Sequence, residues 1–238
     1  MILTEQELVI EKAAIAFAKK HKSEITKRFT DRAVYLPEAN PVSVFMAGSP
    51  GAGKTEASLE LLNDLASEVK VLRIDPDELR SEFPDYSGAN SYLFQKAVSI
   101  LVDRIHDLAL DQKQSFLLDG TLSNYDRAVK NIERSLKRNR LVQILYVYQD
   151  PFFAWDFVIA REAIEGRRIL PEHFIEHYFS ARVTANRLKQ YFGRDIRMDL
   201  LLNDINSGNR SYIADIDQID NHVPEKYTAT ALMHALKN

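Results

Sequence analysis

Gly48-Ser49-Pro50-Gly51-Ala52-Gly53-Lys54-Thr55 fits the pattern G-x-x-x-x-G-K-[ST] without a mismatch. Its flanks supply the context this pattern needs. Before it, residues 42–47 (VSVFMA) form a short apolar run with β-branched residues, which predicts a strand. After it, residues 55–66 (TEASLELLNDLA) have helical periodicity. Glycines let successive backbone N–H groups turn toward phosphate oxygens, and a helix N-terminus adds the positive end of its dipole. Lys54 is then placed to reach β- and γ-phosphates, and the Thr55 hydroxyl to ligate Mg²⁺. The run predicts a nucleoside-triphosphate site. By itself it does not separate a kinase from an ATPase or a switch.

The same alternation continues outward from this loop. Residues 5–29 carry Leu8, Ile15, Phe17, Ile25 and Phe29 at helical spacing, with a charged back. Strands are predicted at 69–74, 115–119, 141–148 and 197–202. Helices are predicted at 90–112, 124–139, 152–165, 172–192 and 225–236. Strands alternating with helices predict a three-layer α/β fold with a mostly parallel sheet and an N-terminal helix. The expected organisation is one domain: a helical extension over 1–36, a core over 42–204, and a C-terminal strand and helix over 205–238.

Composition narrows the function classes. The chain has 238 residues and a formal net charge of −3, from 31 basic and 34 acidic side chains. That near-balance argues against a dedicated nucleic-acid binder, which carries a basic surplus. There is no cysteine, so disulfides, thiolate nucleophiles and cysteine-ligated zinc are excluded. The longest apolar stretches are of strand length, too short to span a bilayer. The opening MILTEQELVIEK lacks a basic stretch leading into an apolar core. A cytoplasmic protein without a membrane or nucleic-acid partner is expected.

Carboxylates at strand ends choose the reaction. The second strand ends in Ile74-Asp75-Pro76-Asp77. Ligands of doubly wound sheets sit at the carboxyl ends of strands. One of these acids is suited to hold Mg²⁺ through water, and the other to take the proton of an attacking hydroxyl. The competing reading is that they cap a helix beginning near Glu78. The third strand ends in Leu118-Asp119-Gly120-Thr121, an acid beside the loop and a hydroxyl after it, or else a plain Asp-Gly turn. Arg161, Arg167 and Arg168 surround Gly166 and are candidates to clamp a transferring phosphoryl group, against surface pairing with Glu162 and Glu165. Asp103, on the polar side of the 90–112 helix, reads by itself as solvated. A rival motif is His173-Phe174-Ile175-Glu176-His177, which fits the H-x-x-E-H zinc-hydrolase pattern.

Taken in order, the phosphate loop, Ile-Asp-Pro-Asp, Asp-Gly-Thr and the late arginines make the chain resemble the zeta-toxin family of P-loop kinases, from about Val42 to about Asp204. The resemblance implies a sheet like that of nucleotide kinases. It implies transfer from ATP, with Mg²⁺, to the 3′-hydroxyl of the sugar in UDP-N-acetylglucosamine. It matches Asp77 to the catalytic base and Lys54 and Thr55 to the ATP and Mg²⁺ positions. Asp75 and Asp119 join Thr55 as expected metal ligands. Asp103, Asp119 and Thr121, with Asp77, are expected substrate contacts, Asp119 standing where family members have glutamate. Arg161 and Arg168 match two phosphate-contacting arginines. Ser123 departs from the family's arginine two residues beyond the threonine, and the arginine-bearing segment is shorter; both differences touch acceptor recognition more than phosphoryl transfer. Another nucleotide, nucleotide sugar or antibiotic hydroxyl is the near alternative, with a nucleotide-dependent binding switch further off. GTP in place of ATP stays open. A small helical antitoxin is the expected protein partner. The N-terminal helix is expected to pack on the kinase core through Leu8, Ile15 and Phe17, with self-inhibition as the weaker reading.

Overall fold

The computed structural model describes residues 3–65, 70–166, 169–204 and 209–237. Six strands form one sheet in the order β2-β3-β1-β4-β5-β6. They are β1 (Val42–Ala47), β2 (Leu72–Ile74), β3 (Phe116–Leu118), β4 (Leu141–Tyr148), β5 (Arg197–Asp204) and β6 (Asn209–Ile213). The first five in spatial order pair in parallel, and β6 joins β5 antiparallel. The predicted strand at 69–74 is shorter, opening at Leu72, and Val69 lies outside the described residues.

Helices α1 (Glu5–Phe29), α2 (Lys54–Leu65), α3 (Pro76–Arg80), α4 (Gln95–Asp111), α5 (Tyr125–Leu136), α6 (Pro151–Glu165), α7 (Pro171–Phe192) and α8 (Ala229–Leu236) complete the chain. The helix expected over 90–112 opens instead as a 3-10 turn, Ser91–Phe94, before α4 begins. The closing helix starts at Ala229 rather than 225, where the Thr228 hydroxyl accepts the Ala231 N–H at 3.2 Å and so caps it.

The sheet is covered on both faces, and the two-residue period of the strands shows it. Phe45 and Ala47 of β1 join one core cluster with α1, α4, α5 and the C-terminal half of α7, whereas Val44 and Met46 join another with Ala57 of α2. β4 divides alike, Ile144 and Tyr146 to the first and Leu145 and Val147 to the second. A third cluster joins α6, the start of α7 and Leu232 of α8.

Helix α1 lies on α4. Thr4 and Glu7 form a reciprocal capping box that starts it. Its core face keeps Ile15, Phe17, Ile25 and Phe29 of the expected stripe, adds Ala14 and Ala18, and leaves Leu8 out. Ala14, Ala18 and Ile25 are buried, Ile15 and Phe17 are partly buried, and Leu8 is exposed. Small side chains let the two helices approach closely, and the larger ones flank the contact. Among the described residues no helix is long and apolar enough to cross a membrane.

Candidate active site

Strand order places the candidate groups together. β2, β3 and β1 are successive neighbours, so their carboxyl ends lie about 5 Å apart along the sheet. Register does the rest: Ile74 pairs with Leu118, and the Asp119 N–H donates to the Ile74 carbonyl at 2.9 Å. Asp75 and Asp119 therefore leave the sheet side by side, next to the phosphate loop after β1.

The loop itself is tightly cradled. Gly48 has φ 134° and Gly51 φ 72°. A Cβ at the first would run into the Val147 carbonyl oxygen, and at the second into that of Ala154. The Lys54 ammonium folds back over the loop and donates to the Gly48 and Ser49 carbonyls at 3.1 and 2.6 Å. The Asn203 amide, from β5, donates to the Ala52 carbonyl at 2.6 Å. Nothing in the sequence pattern of β5 marks Asn203. Its role follows from β5 ending near the loop.

Asp75 is the helix cap that was one of its two expected readings. Its Oδ1 accepts the Asp77 N–H at 2.7 Å, and Pro76 opens α3. Its Oδ2 lies 2.7 Å from Arg73 Nη2, and the same nitrogen donates to Asp119 Oδ2 at 2.7 Å. Arg73 Nη1 also pairs with Glu78. Ser58 accepts from Arg73 Nε at 3.2 Å and sits 3.5 Å from Asp119 Oδ2. Burial pushes the Asp75 carboxyl up to about 6, with the Arg73 guanidinium opposing the rise and Asp77 adding to it. Arg73 escaped the sequence reading. Its signal was a lone arginine between apolar residues of a buried strand.

Asp77 occupies the first turn of α3 and is 36% exposed, open to a ligand. It pairs with Arg80, whose guanidinium is otherwise buried and donates to Gln95 Oε1 at 3.1 Å. Arg161 Nη2, from α6, lies 3.8 Å from Asp77 Oδ2. The structure thus unites Asp77 and Arg161, 84 positions apart in the sequence. Arg167 and Arg168 lie outside the described residues.

Thr121 keeps close to the loop. Its carbonyl accepts the Gly48 N–H at 3.3 Å, and its hydroxyl lies 3.0 Å from that of Ser123. Asp103 is in a surface pair with Arg127 at 2.6 Å, its side chain 53% exposed.

The H-x-x-E-H histidines go different ways. His173 is 56% exposed and sits 3.6 Å from Glu176, while His177 Nδ1 lies 3.0 Å from Ser123 Oγ. Among the described residues no three His, Asp or Glu side chains gather so as to hold a metal ion.

A phosphate loop after β1 inside this sheet, with acids at the ends of the next two strands on one side, β3 and β2, defines a P-loop kinase fold. Residues 25–212 match the sequence model of the zeta toxin family. The chain belongs to that family. No curated protein matches it by sequence. Among solved structures it is similar to one from the PezAT chromosomal toxin–antitoxin system of Streptococcus pneumoniae, with TM-score 0.66 and 14% identity over 99% of this chain and 95% of that one. It is also similar to AvrRxo1-ORF1:AvrRxo1-ORF2 with sulphate ions, with TM-score 0.67 and 15% identity over 85% and 70% of the two chains. The same complex with ATP gives TM-score 0.65 and 16% identity over 82% and 65%.

Proposed function

We propose that the protein transfers the γ-phosphoryl group of ATP to a sugar hydroxyl of UDP-N-acetylglucosamine. The observation that carries the reading is Asp77: a partly exposed carboxylate in the first turn of α3, just past the carboxyl end of β2, held between Arg80 and Arg161. Membership of the zeta toxin family supports the reaction class, and the structural likeness to a complex with ATP supports the donor.

In this reading Asp77 accepts the proton of the attacking hydroxyl. Lys54 and the backbone N–H groups of residues 48–55 hold the phosphates and offset their charge. Arg161, with Arg168, stabilises charge on the group in transfer. Thr121 orients the acceptor, and Asp103 contacts it at the rim. Thr55, at the loop's end, and Asp119, at the neighbouring strand end, are the residues that would hold Mg²⁺. Asp75, whose oxygens also meet the Asp77 N–H and Arg73, completes that set. Mg²⁺ would supply Lewis-acid neutralisation of the phosphate oxygens.

Incubation with labelled ATP, Mg²⁺ and a panel of nucleotide sugars, nucleosides and antibiotics tests the reading. A labelled UDP-N-acetylglucosamine product is expected. Label in a different acceptor alone would replace the substrate but keep the chemistry, and label in none would remove the kinase reading. The setting proposed is the cytoplasm, and the partner a small helical antitoxin. The toxin–antitoxin origin of one similar structure supports that partner.

A further inference from the structure

The second histidine of the H-x-x-E-H run belongs to a chain of contacts that ends at the phosphate loop. His177, on α7, has Nδ1 3.0 Å from Ser123 Oγ. Ser123 Oγ lies 3.0 Å from Thr121 Oγ1. The Thr121 carbonyl accepts the Gly48 N–H at 3.3 Å. Helix α7 holds the same loop a second time, through Thr184 Oγ1, which donates to the Ser123 carbonyl at 3.3 Å. The loop is bent to make this possible. Leu122, between the two hydroxyl residues, has φ 54°, a left-handed conformation disfavoured for a leucine. That turn sets the Thr121 and Ser123 hydroxyls side by side, with His177 beyond them.

Each hydroxyl has one proton to give, whereas an imidazole nitrogen either gives or takes one. The direction of the chain is therefore set at its histidine end. With the proton on Nε2, Nδ1 accepts from Ser123, Ser123 accepts from Thr121, and the Thr121 oxygen is left with lone pairs only. With a proton on Nδ1 every bond reverses, and Thr121 has a proton to donate. We propose that His177 is a positioning residue that fixes the polarity of the Thr121 hydroxyl. It holds the Nε2–H tautomer, so that Thr121 faces the substrate as an acceptor and selects a ligand carrying a hydroxyl or amide donor at that point. The consequence for substrate rests on the kinase reading above; the relay itself does not.

Full-length protein labelled with ¹⁵N-histidine tests the relay, with His177→Gln assigning the His177 ring resonances. Nδ1 unprotonated and Nε2 protonated is the expected pattern. Both Ser123→Ala and Thr121→Val should move the Nδ1 resonance, although Thr121 does not touch the ring. A protonated Nδ1 in the free protein, or a Thr121→Val spectrum unchanged at His177, would overturn the proposal. Kinetics with ATP and UDP-N-acetylglucosamine supply the second measurement. His177→Phe should raise the acceptor KM about tenfold and leave the ATP KM and the thermal midpoint near wild type. His177→Gln, whose amide oxygen can accept from Ser123, should recover most of that loss. In a Ser123→Ala background the His177→Phe effect should vanish, and an undiminished effect there would also overturn it. Wild-type protein that phosphorylates no acceptor would overturn the kinase reading instead, and the nitrogen resonances would still decide the relay.

Discussion

Arg73 Nη2 donates to Asp119 Oδ2 at 2.7 Å and lies equally far from Asp75 Oδ2, so one guanidinium nitrogen joins the acids that end two neighbouring strands. All three side chains are close to 10% exposed. Arginine suits the place because it keeps its charge and presents several donors in a fixed fork. Two facing carboxylates beside a site for polyphosphate would otherwise concentrate negative charge where the ligand must bring its own.

Removing that cation should therefore cost stability in a pH-dependent way. Arg73→Gln is expected to destabilise by about 3 kcal/mol at pH 8, the usual scale for leaving a largely buried charge unpaired. Asp75 holds its proton up to about pH 6, above the ordinary 3.8 of a free aspartate. The folded state thus binds more protons than the unfolded state between those values, and this group's contribution falls as pH rises through that window. With Arg73 gone the carboxylates repel more strongly, so the deficit should shrink below pH 6. Urea unfolding of both proteins at pH 5 and pH 8 checks it. An equal deficit at both would mean that the acids are not the reason.

Asp77 and Arg161 offer a test of the chemistry. Asp77→Asn keeps size and a hydrogen-bonding group but cannot take a proton. Turnover should fall by about 10³-fold, within the range for loss of a general base, while ATP affinity changes little. Arg161→Ala should cost about 10²-fold, the scale for a lost charge-stabilising donor. Because Arg161 lies 3.8 Å from Asp77, the two losses should not add in the double variant. Steady-state rates and nucleotide titration on the four proteins decide it. Additive losses would separate Arg161 from the Asp77 site.

The phosphate loop, the parallel strands and the three acids at their ends were legible because each is a local pattern. The loop is eight consecutive residues, and the buried strands are short, mostly apolar runs. Contacts set by topology were not legible. Arg73 reaches Asp119 only because β2 pairs with β3 in the register Ile74 to Leu118. The Asp77–Arg161 approach needs α6 to bring its arginine to the first turn of α3, which no spacing encodes. Strand β6, Asn-Arg-Ser-Tyr-Ile, has too polar a sequence to be placed within the expected 205–238 segment. The α1 seam was legible at Ile15, Phe17, Ile25 and Phe29, which meet the core, whereas Ala14 and Ala18 were not, because large apolar residues dominate a periodicity argument and close helix contact favours alanine.

That seam makes the N-terminal segment part of the core. Ala14, Ala18 and Ile25 join the main cluster, and the buried Gln114 amide donates to the Thr30 and Tyr35 carbonyls at 3.0 and 2.8 Å. Deleting residues 1–36 uncovers α4 and removes the Thr30 and Tyr35 carbonyls from Gln114, whose amide keeps Gln112 Oε1 at 3.3 Å. Lower solubility, a lower unfolding midpoint and reduced turnover are expected. A soluble, more active truncated protein would establish the self-inhibitory reading of this helix instead.

His106 supplies the last prediction. It lies on α4 against the edges of Phe45 and Phe116, and neither ring nitrogen has a hydrogen-bond partner among the described residues. Burial, reinforced by Arg134, Arg140, Arg138 and Arg127, pushes its pKa down to about 3. The unfolded chain takes up this proton near the ordinary 6.5 and the folded chain does not. Stability contributed here is full above pH 6.5 and is lost as pH falls toward 3, at up to about 1.4 kcal/mol per pH unit. His106→Leu removes the titrating ring and keeps an apolar side chain in the pocket. It should match or exceed wild-type stability at pH 7 and flatten the loss between pH 6 and pH 4. Denaturant unfolding across that range measures the slope. An unchanged slope in His106→Leu would assign the acid sensitivity to other groups.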